Sequence, residues 1–143
     1  MIAYADTGFL VSLYGQDAHS EVATALVSSK PIFLLTSLGE MEFTNAIELR
    51  VFRKEWARRE ARAVLELFLQ HQAATVFRLE PFSPEIWEKA LSLSRRHSAL
   101  LGTRTLDILH VASALVFKPD VFYTFDERQA KVAKAERLRV LPA

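Results

Sequence analysis

Residues 102–126 read GTRTLDILHVASALVFKPDVFYTFD, and they carry the plan of the chain in miniature. Gly102 interrupts one helical stretch. Thr105 to Phe117 then form another that is apolar on nearly every side, and such a helix belongs inside a protein. After Lys118-Pro119-Asp120 comes Val121–Phe125, a short run of β-branched and aromatic residues that reads as a buried strand. Asp126 follows at once and opens a helical stretch to Glu136. Helix, strand, acid, helix is the unit of a parallel sheet covered by helices.

The same alternation runs in both directions from this segment. Ile2–Ala5, Ile32–Leu35, Thr75–Leu79 and Leu138–Leu141 are further strand candidates. Helices are expected at Thr7–Tyr14 and at Ala18–Ser28, with Asp17 as N-cap of the second. Leu38–Phe52 is helical by pattern, with Leu38, Met41, Asn45, Leu49 and Phe52 on one face. A charged helix from Trp56 to His71 carries the apolar stripe Ala57, Ala61, Val64, Leu65 and Phe68. Ser83-Pro84-Glu85 opens the helix that Gly102 ends: a cap, a proline at the first position and an early acid. The expected fold is α/β: a three-layer α/β/α sandwich around a central, mainly parallel five-stranded sheet, with residues 1–143 forming a single domain.

Composition agrees with a packed core. Of the 143 residues half are apolar and 24% are charged, which excludes a disordered tail or a fibrous repeat. The absence of cysteine excludes a disulfide scaffold, a thiolate nucleophile and a Cys-ligated zinc or iron–sulfur site. Lys and Arg number 18 against 17 Asp and Glu, so any basic surface must be local. Two segments qualify. Arg50–Arg62 holds six bases against Glu55 and Glu60, and Arg128–Arg139 holds five against Glu136. Each reads either as a solvated helix face, with pairs such as Glu55–Arg59, or as a track for phosphates. Trp56 and Trp87 are assigned to the core or to a subunit contact. No apolar run approaches the roughly 20 residues that span a bilayer. The opening stretch has an early Asp6 and no basic residue, unlike a signal peptide. A soluble, cytoplasmic protein is expected.

Ligands of parallel sheets bind beyond the carboxyl ends of the strands. Asp6 directly follows the first strand and Asp126 the fourth. Glu42 lies about one turn into the helix after the second, and Asp107 begins the buried helix. An aspartate after a strand also serves as a helix cap, and a glutamate on an amphipathic helix also serves as solvated surface. Asp107, His110 and Ser113 recur every three residues and form one polar stripe on an otherwise apolar helix. A carboxylate there needs a cation, an arginine or water. His110 reads as a hydrogen-bonded core histidine, since one histidine on an apolar helix is no metal motif. Four carboxylates converging at one sheet edge would repel one another, and a divalent cation removes that penalty. All-oxygen ligands favour Mg²⁺ or Mn²⁺ over zinc, and such a site suits hydrolysis of a phosphodiester.

At these residues the chain resembles the PIN-domain ribonucleases, in particular the VapC-type toxins of toxin–antitoxin pairs, over Ile2 to Leu141. Ala3-Tyr4-Ala5-Asp6-Thr7-Gly8 is similar to the family's first strand and first acid. Glu42-Phe43-Thr44-Asn45 resembles its second acid with an asparagine three residues on, which favours Glu42 over Glu40. Gly102 to Ala112 resembles the helix bearing the third acid, and Thr124-Phe125-Asp126 with Glu127-Arg128-Gln129 resembles the fourth segment. The resemblance implies an Mg²⁺- or Mn²⁺-dependent endoribonuclease with Asp6, Glu42, Asp107 and Asp126 around the metal. Thr7, Asn45 and Thr124 would orient water or carboxylates. It also implies a homodimer and a cognate antitoxin in the acidic cleft. Glu127 could substitute for Asp126. Arg104, Arg96 and Arg128 are candidates for binding the RNA substrate, and Arg104 could instead pair with Asp107 in the free protein. Two other readings are a phosphoacceptor or nucleotide-binding α/β module and a catalytically silent partner-binding domain. No GxxxxGK loop or GxGxxG turn supports the first of these, and the presence of all four acids argues against the second.

Overall fold

The computed structural model of the chain describes residues 1–143. Five strands, β1 (Ile2–Ala5), β2 (Ile32–Thr36), β3 (Phe77–Glu80), β4 (Val121–Tyr123) and β5 (Val140–Leu141), pair in the order β3-β2-β1-β4-β5. Every pair is parallel, with Ala3 beside Phe33 on one side and beside Val121 on the other. The helices between them are α1 (Thr7–Tyr14), α2 (Ser20–Leu26), α3 (Ser37–Phe52), α4 (Arg58–Ala73), α5 (Pro84–Leu93), α6 (Ala99–Leu101), α7 (Thr105–Phe117) and α8 (Glu127–Ala135). A five-residue π-helical segment, Ser94–Ser98, joins α5 to α6. Gly102 ends that run with φ 63, a left-handed conformation that a side chain would disfavour.

Alternation along the strands builds two cores. Ala3, Ala5, Phe33, Leu35, Val121 and Tyr123 point to one face, where Phe9 of α1, Phe43 and Ile47 of α3 and Phe68 of α4 cover them. Tyr4, Leu34, Phe122 and Val140 point to the other, under Ile86 and Leu93 of α5, the apolar side of α7, and Val132 of α8. These are the three expected layers. α7 is buried from Asp107 to Ala114, its polar stripe included. No helix is long and apolar enough to cross a membrane.

Local differences from the sequence reading have physical reasons. The inner face of α3 is Gly39, Phe43 and Ile47, whereas Met41 is 65% and Phe52 82% exposed. Two helical periodicities coexist in this segment. The buried one runs through Gly39, whose bare Cα seats against Leu35, where a Cβ would stand 3.1 Å from Cδ1. Asp17 does not cap α2 directly. Its carboxylate accepts from the His19 backbone N–H and the Ser12 hydroxyl, and the helix starts at Ser20. Thr75 has a left-handed φ of 60, so β3 begins only at Phe77.

Candidate active site

The chain leaves β1 for β2 on one side and later pairs β4 on the other. The carboxyl ends of β1 and β4 therefore face a crevice at the point where the strand order reverses. A cavity of about 890 Å³ opens there, and Asp6, Glu42, Asp107 and Asp126 all line it.

Asp6 and Asp126 occupy equivalent places after neighbouring strands. Asp6 caps α1, its Oδ1 accepting from the Phe9 N–H at 2.7 Å, and Asp126 caps α8 by accepting from the Gln129 N–H at 2.9 Å. The same two residues thus cap helices and line the cavity. Thr124 joins the two: its hydroxyl donates to Asp6 Oδ2 at 2.5 Å and accepts from the Asp126 N–H at 2.9 Å. Asp6 is 2% exposed. Burial pushes its carboxyl above the usual aspartate range, against the pull of His110, Thr124 and the Phe9 N–H.

Glu42 projects from the second turn of α3. Its Oε1 accepts the Thr7 hydroxyl and lies against His110 Nε2. His110 Nδ1 is 2.8 Å from the Tyr4 hydroxyl. Both ring nitrogens therefore have a partner, Nε2 the Glu42 carboxylate and Nδ1 the Tyr4 hydroxyl. Burial works against ionisation of Glu42, but the hydrogen bond and charge of His110, with Thr7, outweigh it and hold its pKa below the usual range.

Asp107 is buried on α7. Its Oδ2 accepts from the Arg104 N–H at 3.2 Å and from Arg104 Nε at 3.0 Å, and its Oδ1 from Gln129 Nε2 at 3.1 Å. Burial opposes its charge, yet the hydrogen bonds and positive charge of Arg104, with Gln129, depress its pKa. Arg104 Nη2 also reaches Asp126 Oδ2 at 3.6 Å. The third member of the α7 stripe, Ser113, donates to the Leu109 carbonyl. Each polar residue of that stripe is therefore partnered.

The four carboxylates lining the cavity offer oxygen ligands, which suit a hard divalent cation. No three of the acidic and histidine side chains stand close enough to form a ready-made cage, and Arg104 supplies the positive charge between Asp107 and Asp126. Gln129 Oε1 is buried without a partner in the wall of this cavity.

Thr7 and Asn45 line the cavity with Glu42, whereas Glu40 does not, and Thr124 lies behind Asp6. Arg50, Arg53 and Arg104 stand along the cavity wall. Arg96 and Arg128 do not: Arg96 is bonded to Ser92 and Glu136 across the π-helical segment. The Glu55–Arg59 pair is not formed. Glu55 pairs with Arg50 and Arg58 with Glu48. Trp56 packs on the first core, while Trp87 is half exposed beside Phe82. Sequence reasoning gave no role to Gln129 and placed His110 only in the core. The available signals were their spacings, three residues after Asp126 and three after Asp107.

The fold is similar to that of several solved structures. VapC20 of Mycobacterium tuberculosis, described as a Sarcin-Ricin loop cleaving toxin, superposes with a TM-score of 0.68 at 22% identity, over 90% of this chain and 93% of that one. FitAcB of Neisseria gonorrhoeae gives 0.70 at 18% identity, over 98% and 96%. VapBC2 of Rickettsia felis, bound to a promoter DNA fragment, gives 0.67 at 15% identity, over 98% and 97%. No curated protein sequence matches the chain. The family model of the PIN domain matches residues 3–135, nearly the full length, and the chain accordingly belongs to the PIN domain family.

Proposed function

We propose that the chain, acting as one domain, is a metal-dependent endoribonuclease that hydrolyses RNA phosphodiester bonds as the toxin of a toxin–antitoxin pair. The observation that carries this reading is the lining of one cleft by Asp6, Glu42, Asp107 and Asp126, beyond the carboxyl ends of the strands and beside the unpartnered Gln129 Oε1. These four carboxylates would hold Mg²⁺ or Mn²⁺. When bound, the ion supplies an activated water and charge stabilisation for the leaving oxygen.

The chain's own residues prepare that chemistry. Thr7 and His110 fix Glu42, Thr124 fixes Asp6, and Gln129 with the Arg104 backbone fixes Asp107. Asn45 faces the same cavity, one turn beyond Glu42, where it would orient water. Arg50, Arg53 and Arg104 would hold the RNA backbone along the rim. The toxin role is supported by the family and by the likeness to VapC20, FitAcB and VapBC2. An antitoxin would cover the acidic cleft together with Leu49 and Phe52, exposed apolar side chains at and beside its wall. A homodimer would bury Trp87 and Leu91 of α5 and Leu100 of α6, which are exposed. A cytoplasmic location agrees with this role.

Purified protein with Mn²⁺ is expected to cut structured RNA, and Asp6→Asn to lose at least about a hundredfold in rate, as for removal of an electrostatic partner in a nuclease or acyl-transfer centre. Cleavage that survives EDTA, or survives Asp6→Asn undiminished, would sink the assignment.

A further inference from the structure

Arg104 touches two of the four carboxylates, and its place in the cleft is unusual. The guanidinium bonds to Asp107 through Nε at 3.0 Å and Nη2 at 3.4 Å, and Nη2 lies 3.6 Å from Asp126. The side chain is nonetheless 66% exposed, so no packing holds it there. Asp107 does not depend on it for position. The Arg104 backbone N–H and Gln129 Nε2 already fix that carboxylate from two directions, and α7 buries the rest of the residue. What the guanidinium adds is charge, at the place where two acids would otherwise face each other uncompensated.

From this arrangement we propose that Arg104 is a displaceable internal counter-ion: its guanidinium neutralises Asp107 and Asp126 in the metal-free protein, and a divalent cation must evict it to bind. The proposal rests on the reading of the acids as cation ligands. An evicted Arg104 remains anchored at the start of α7, on the cavity wall, where its charge meets a passing phosphate. A phosphate that takes the guanidinium likewise releases the acids. Metal and RNA therefore favour each other's binding through one side chain, and the coupling is reciprocal.

Calorimetric titration of Mn²⁺ into the whole chain, as wild type, Arg104→Ala and Arg104→Lys, tests this without RNA. The alanine variant is expected to bind Mn²⁺ roughly five- to tenfold more tightly than wild type. The lysine variant keeps the charge but lacks the fork that spans two carboxylates, and should fall between them. In cleavage assays Arg104→Ala should need less Mn²⁺ while showing a raised KM for RNA. The exposure of Arg104 makes misfolding an easily excluded cause, by thermal melting of the metal-free variant. Wild type that binds Mn²⁺ and cleaves, with Arg104→Ala binding equally or more weakly, would overturn the counter-ion role and leave the nuclease reading intact. Absence of Mn²⁺ binding and of cleavage in all three proteins would overturn both.

Discussion

Asp6 meets opposing demands. As a cap it serves α1 best when ionised, but its surroundings are almost dry. With its pKa raised by burial, Asp6 contributes stability that is fully present below the ordinary aspartate value of 3.8 and is lost as pH rises through its folded value. Asp6→Asn, which imitates the protonated form, should therefore stabilise the metal-free protein at neutral pH, read as a higher melting temperature. The gap in melting temperature between variant and wild type should narrow on acidification; a gap that widens would show that the carboxylate is not a burden. Glu42 and Asp107 run the other way. Their pKa values are depressed, so their contribution is present above the ordinary carboxylate range and is lost as pH falls through the folded values. Asp6 and Asp126 were legible as acids at strand ends, Glu42 as an acid about one turn into the helix after β2, and Asp107 by its polar stripe on an otherwise apolar helix. His110 was legible only as a core histidine. Its contact with Glu42 joins α7 to α3, two helices distant in sequence, and no local pattern encodes that meeting.

At the scale of elements, close approach decides what propensity leaves open. Gly15 ends α1 beneath Trp56, and a Cβ at this position would stand 2.7 Å from the indole Cζ2 and 2.9 Å from the Val11 carbonyl oxygen. Gly15→Ala is expected to cost about 1–3 kcal/mol, read as a lower urea midpoint, because Trp56 or the end of α1 must shift. A midpoint equal to wild type would show that the indole moves freely. α4 was readable from its apolar stripe, of which Ala61 and Phe68 are buried. α3 carries two periodicities, and the fold buries the one through Gly39, Phe43 and Ile47, a choice that sequence could not rank. That choice turns Glu42 and Asn45 toward the cleft and leaves Phe52 in solvent. β5 is only two residues long, since its pairing is limited to Phe122 with Val140 and Tyr123 with Leu141.

For the whole molecule, alternation of strands and helices sufficed to anticipate three layers and a parallel sheet. The order β3-β2-β1-β4-β5 was not encoded in any one segment, because it depends on which strands pair over long separations. If the acids bind a divalent cation, Mn²⁺ should raise the melting temperature by mass action, by about 2.7 kcal/mol at a hundred times Kd. Asp107→Asn should abolish most of that rise, and a wild-type melting curve indifferent to millimolar Mn²⁺ would count against the cation site. The central placement of β1 has one more outcome. Asp6 lies 118 positions before its partner Thr124, and Asp126 and Gln129 follow close behind that threonine. Ribosomes deliver polypeptides N-terminus first, so a growing copy owns only half a cleft until β4 and α8 have been made.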